Sequence, residues 1–204
     1  MSHDPQRHHR RSIRLQEYDY TTSGAYFVTV VTHERECLFG EIEDGGMRVN
    51  EYGEIVRAEW FQTAALRPYV VLHPDEFVVM PNHIHGIIWI VGENDDMGAY
   101  RGAHRRGTAA PCPYNSAPPC PYDDHIERFG KPVPGSIPTI VRAFKSATTR
   151  RINEMRGTPG ARVWQRNYYE HIVRNDADLQ RIREYILTNP IRWAMDRENP
   201  TRTP

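Results

Sequence analysis

The pattern of apolar and polar positions predicts short strands interleaved with three helices. Ala25–Thr32, preceded by Gly24, is dense in β-branched and aromatic residues and predicts the first strand. Phe39–Val49 predicts a hairpin turning at Gly45-Gly46. Asn50 then stands where a helix cap belongs, and Ile55, Ala58, Phe61 and Ala65 recur at helical spacing up to Arg67-Pro68. Tyr69–Leu72 and Glu76–Met80 predict two further strands around His73-Pro74-Asp75. Pro81-Asn82 predicts a turn, and His83–Val91 a strong strand. Ile137–Met155 predicts a helix with Ile140, Val141, Phe144, Ala147 and Ile152 on one side. Val163-Trp164 and Tyr168–Val173 read as extended. Asn175-Asp176-Ala177-Asp178 resembles a capping box opening a last helix with Leu179, Ile182 and Ile186 inward and Pro190 at its end. This order predicts an α+β fold, with helices on one face of an antiparallel sheet.

Residues 92–136 break the pattern. They are rich in Gly, Pro and Asp and hold two near-copies of one phrase, Ala110-Pro111-Cys112-Pro113-Tyr114 and Pro118-Pro119-Cys120-Pro121-Tyr122. Such composition builds no core and predicts an insertion. Cys112 and Cys120 lack the spacing of a metal pair. The expected organisation is a basic N-terminus (1–15), one domain from 16–91 and 137–195, the insertion (92–136) and a C-terminal tail (196–204). The 204 residues, 39% of them hydrophobic, suffice for one core. Three cysteines make no disulfide framework, and no apolar run is long enough for a bilayer span. The first residues hold no secretory h-region, so a cytoplasmic location with no membrane partner is expected.

Charge changes this picture. The chain carries 26 basic and 26 acidic residues, which argues against a nucleic-acid partner. The balance hides a gradient, however. Residues 34–77 hold four basic and ten acidic residues, and residues 137–204 hold thirteen and seven. All basic residues but Lys131 and Lys145 are arginine, the side chain suited to bidentate phosphate contact. The gradient predicts one arginine-lined face near the end of the chain.

Two features carry candidate chemistry. His83 and His85 alternate in a strand, so they project from one face and can share a divalent metal through neutral nitrogens, with Gly86 leaving space beside them. Taken alone, an H-x-H pattern also describes two surface histidines. Tyr185 and Asn189 lie one helical turn apart, on a face that also carries Arg181. A tyrosine there also serves as an amphipathic cap on the core. Together the features suggest Mg2+ or Mn2+ polarising a phosphodiester while a tyrosine attacks phosphorus. Tyr168 and Tyr169 are rival nucleophiles, with His171 beside them as a further metal or phosphate contact. His8, His9, His33, His73, His104 and His125 show no metal spacing.

The chain resembles the single-tyrosine HUH transposases of the IS200-like group, above all the REP-associated tyrosine transposases. The resemblance rests on Arg11-Ser12-Ile13-Arg14-Leu15, Tyr26-Phe27-Val28-Thr29, Met80-Pro81-Asn82-His83-Ile84-His85-Gly86, Phe144-Lys145-Ser146, the run from Val163 to Asn175, and Arg183-Glu184-Tyr185-Ile186-Leu187-Thr188-Asn189-Pro190. It runs from about Arg11 to Trp193 apart from the insertion. It implies a ferredoxin-like fold with the histidines on a central strand, Tyr185 as nucleophile, and Asn189 completing a site for Mg2+ or Mn2+. It also implies cleavage and rejoining of single-stranded or hairpin DNA through a 5′-phosphotyrosine, by a monomer or homodimer. Arg11, Arg14, Arg142, Lys145, Arg150, Arg151 and Arg181 are the expected DNA contacts. A DNA-hairpin binder without the chemistry, and a metal hydrolase of small substrates, are the other readings of these residues.

Overall fold

A computed structural model describes residues 18–92 and 133–202. The predicted insertion lies almost wholly outside these, as do Arg11 and Arg14. The elements, in order, are β1 (Gly24–Val31), β2 (Gly40–Glu43), β3 (Gly46–Val49), α1 (Glu51–Leu66), β4 (Val70–Val71), β5 (Phe77–Val79), β6 (His83–Ile90), α2 (Ile137–Arg156), β7 (Tyr169–Ile172) and α3 (Asp176–Thr188). Every ladder is antiparallel. β6 lies between β1 and an edge made of β4 and β5, and β7 pairs with the far side of β1. Taking β4 and β5 as one interrupted strand, the path is β-α-β-β-α-β, a ferredoxin-like arrangement with β6 and β1 in its centre.

Local chemistry explains the elements. β2 and β3 join through Asp44 and Gly45, both at positive φ (50° and 75°). A two-residue turn with that geometry suits the strand twist, and Asp-Gly adopts it at little cost. The turn therefore sits one residue before the predicted Gly45-Gly46. Asn50 caps α1 by accepting from the backbone N–H groups of Tyr52 and Gly53. The buried stripe of α1 is Ile55, Val56, Trp60 and Thr63, whereas Ala58 and Ala65 are exposed. The predicted stripe was rotated because it followed alanines, and Trp60, the larger apolar group, sets the inward face. Asn175 caps α3 by accepting from the N–H of Asp178.

Alternation in β1 and β6 divides the core. Tyr26, Val28, Val30, Ile84, Ile88 and Ile90 face one layer, where they pack with α1 and α2. Ala25, Phe27 and Ile87 face the other, where they pack with Leu179, Ile182 and Ile186 of α3. Helices on one face thus describes α1 and α2, and α3 covers the opposite face. Gly86 belongs to the first layer. A Cβ there would lie 2.4 Å from Trp60 Cζ2, so its missing side chain admits the indole and opens no space beside the histidines, contrary to expectation. Trp60 stacks on Phe77 at 4.7 Å over this gap. No helix among the described residues is long and apolar enough to cross a membrane. Gly86→Ala is expected to destabilise the fold by about 1–3 kcal/mol through overpacking. Adding Trp60→Leu should recover part of that loss, as measured by urea unfolding.

Candidate metal and tyrosine site

His83 and His85 project from β6 toward the α3 layer and are almost fully buried. Their Nε2 atoms lie 2.9 Å apart. His83 Nδ1 sits 2.8 Å from Asn82 Oδ1, and His85 Nδ1 sits 2.8 Å from Thr29 Oγ1. Asn82 Oδ1 only accepts, so His83 carries its proton on Nδ1 and presents an Nε2 lone pair. Thr29 is suited to hold His85 the same way. Two lone pairs meeting at this separation repel unless a proton or a cation lies between them. Asn82 is itself fixed, since its Nδ2 donates to the carbonyls of Arg35 and Glu198 at 3.0 and 2.7 Å.

α3 brings Tyr185 against this pair. Leu179, Ile182 and Ile186 bury one stripe of the helix, which leaves Tyr185 at its margin, 40% exposed. Its hydroxyl lies 3.2 Å from His85 Nε2. His85 is held between two rings, stacked on Phe27 at 5.5 Å and edge-on to Tyr185 at 4.9 Å. Asn189 keeps helical angles (φ −61°, ψ −42°) despite Pro190, which opens a 3₁₀ turn over Pro190–Met195. The side chain of Asn189 is buried: Nδ2 reaches Asp196 at 3.3 Å, while Oδ1 has no hydrogen-bond partner.

The 3₁₀ turn folds the chain back over the histidines. Trp193 lies 6.0 Å from His83, and Asp196 comes within ligand-sharing distance of both imidazoles. Asp196 is the candidate ligand missed in the sequence, where it was assigned to the tail. The available signal was Pro190, which reverses the chain. Two imidazole nitrogens, one carboxylate and an orphaned buried amide oxygen form a donor set that fits a small divalent cation. Among the described residues no other His, Cys, Asp and Glu cluster has this form.

Burial and its neighbouring imidazole hold His85 neutral well below the usual range. Burial lowers His83 to about 4, against the opposing pull of Asp196 and Glu198. Burial, with the charges of Asp196 and Glu198, pushes the Tyr185 phenol upward.

The other expected contacts fall elsewhere. Tyr169 is exposed on β7 and meets Phe27 edge-on at 6.3 Å, outside hydrogen-bonding range of the histidine pair in every bond the structure records. His171 Nε2–H donates to Asp178 Oδ2 at 2.7 Å and does not join the metal cluster. Arg181 pairs with Asp178. Arg142, Arg150 and Arg151 lie on α2, in the layer across the sheet from the histidines, and Arg151 pairs with Glu59 of α1 at 2.7 Å. Lys145 donates to the carbonyls of Gln165, Arg166 and Asn167 at 2.5, 3.1 and 3.5 Å, and burial lowers its pKa to about 8. It clamps the loop before β7. The arginines of α2 lie across the sheet from the histidines, whereas Arg181 is exposed on the helix that bears Tyr185, and Asp196 and Glu198 adjoin the pair.

The depressed histidine values fix a pH dependence. An unfolded histidine takes up a proton near 6.5, whereas folded His83 does so near 4, so the unfolded state binds more protons between these values. Stability of the metal-free protein should fall as pH drops from about 6.5 toward 4. Unfolding free energies measured across that window should flatten in His83→Ala relative to the parent.

No protein-family model matches the chain. An uncharacterised protein of Haemophilus influenzae is 38% identical over 192 residues, covering 93% of this chain and 92% of its own. A second protein of that organism, provisionally named a REP-associated tyrosine transposase, is 24% identical over 174 residues, 85% of this chain and 74% of its own. The solved structure of a REP-associated tyrosine transposase bound to a REP hairpin matches 88% of this chain and 73% of its own, with TM-score 0.50 and 18% identity. The likeness extends along most of the chain in sequence and in fold alike, and the chain has the fold of the REP-associated tyrosine transposase.

Proposed function

We propose that this protein cleaves and rejoins single-stranded DNA at hairpin sequences, with Tyr185 as nucleophile. The observation that carries the reading is the Tyr185 hydroxyl 3.2 Å from His85 Nε2, beside a converging His–His pair. His83, His85, Asn189 and Asp196 would hold the metal. The oxygen donors suit Mg2+ or Mn2+, and the two imidazoles make Mn2+ the better match. When bound, the metal draws charge from a non-bridging phosphate oxygen.

The chain's own residues do the rest. The Tyr185 phenolic oxygen forms a bond to phosphorus, and the bond from phosphorus to the 3′ oxygen breaks. The phenol loses its proton and the departing 3′ oxygen gains one, leaving a 5′-phosphotyrosine and a free 3′-hydroxyl. The phosphodiester energy is kept in the covalent link, so rejoining needs no nucleotide cofactor. Phe27 and the Leu179–Ile186 stripe set the phenol against His85, and burial keeps the imidazoles in the neutral form a metal requires. The solved relative is bound to a REP hairpin, which supports a hairpin substrate here. The arginines of α2 are remote from the site and do not add to that support.

Hairpin oligonucleotides taken from DNA flanking the gene, incubated with Mn2+, should give a covalent adduct that Tyr185→Phe abolishes. An undiminished adduct in that variant would sink the assignment. His83→Ala, His85→Ala or chelation should reduce adduct formation by at least about 100-fold. Asp196→Asn should instead raise the Mn2+ concentration needed for half-maximal cleavage. Hairpin binding with no adduct under any metal would point to the non-cleaving binder.

A further inference from the structure

We propose that Glu76 is a positioning residue for Tyr185, acting through Arg183 and Trp89 to fix the roll of α3 on the sheet; this rests on the reading of Tyr185 as nucleophile. The apolar seat of α3 is narrow, since three aliphatic side chains meet Ala25, Phe27 and Ile87. Such a ridge sets the height of a helix above a sheet but resists rolling poorly. Side-chain tips lie roughly 5–6 Å from a helix axis, so a roll of about 20° would carry the phenol about 2 Å. Misplacement by about 1 Å can cost on the order of 100-fold in rate.

A polar chain opposes that roll. Glu76 is 1% exposed yet charged, and it sits in the short turn that separates β4 from β5. Its Oε1 accepts from Arg183 Nε at 2.8 Å and Nη2 at 2.5 Å, and its Oε2 accepts from the Trp89 indole at 2.6 Å. Arg183 precedes Tyr185 by two residues on α3. Trp89 follows His85 by four residues on β6, on the same strand face. Indole, carboxylate and guanidinium thus tie the helix bearing the phenol to the strand bearing both histidines. On the other flank, Asp178 of α3 meets His171 of β7 at 2.7 Å. The two contacts stand at opposite margins of the sheet and brace the helix between them. The Glu76 contact is the stiffer one, because three donors converge on a carboxylate screened from water.

The test uses the full chain with Mn2+ and a fluorescent hairpin oligonucleotide with single-stranded flanks, below the melting temperature of every variant. Glu76→Gln should lower the adduct rate at saturating hairpin on the order of 10- to 100-fold. The KM for hairpin should stay within about twofold, while the Mn2+ concentration for half-maximal cleavage should rise, since Asn189 rides on the same helix as Tyr185. Arg183→Lys keeps the charge but loses the two-point contact, and should show a smaller loss of the same kind. With 3-fluorotyrosine at position 185, the 19F resonance should shift or broaden in Glu76→Gln. A saturated rate that holds, a loss confined to KM, or an unmoved 19F resonance overturns the proposal. If the parent protein forms no adduct, the nucleophile reading fails and the 19F comparison alone decides the clamp.

Discussion

Side-chain alternation along β6 is the constraint on which the molecule turns. Even-numbered residues Ile84, Gly86, Ile88 and Ile90 point to α1 and α2, and odd-numbered His83, His85, Ile87 and Trp89 point to α3. A slip of one residue would drive both imidazoles into the apolar layer and leave Ile84 where they now converge. Gly86 guards that register, because only a residue without Cβ lets Trp60 lie on the strand. A core position in one layer therefore enforces the histidine geometry in the other.

The site is buried and strongly polar, a combination that is costly unless each group has a partner. Asn82 and Thr29 occupy the outer ring nitrogens, and Phe27 and Tyr185 enclose His85. The inner nitrogens face one another and Asn189 Oδ1 has no partner, while Asp196, held by Asn189 Nδ2 and the Glu198 N–H, brings a carboxylate beside them. This imbalance is the physical argument for a cation, and it explains why two carboxylates adjoin imidazoles that burial keeps uncharged.

Much of this was legible in the sequence. The H-x-H alternation, the Asn50 and Asn175 caps and the inward stripe of α3 follow from local rules, and they placed His83, His85 and Tyr185 on the elements they occupy. The hidden part was contact between distant segments. Asp196 reaches the histidines only because the turn after Pro190 reverses the chain. Part of the charge gradient is likewise taken up by contacts between distant segments, since Arg151 meets Glu59 and Arg183 meets Glu76. Strand alternation told which residues share a face of the sheet, but not which helix would cover that face.

The ends of the insertion meet near one residue. Val91 donates its N–H to the Tyr69 carbonyl at 2.9 Å, and Gly135 lies against the Tyr69 ring. This junction sits at the end of β6 away from His83, roughly 23 Å along the strand at about 3.3 Å per residue. Closing a longer loop between neighbouring anchors costs little more than closing a shorter one. Sequence added between these anchors, such as the duplicated phrases at 110–114 and 118–122, therefore enters the chain far from the histidine pair.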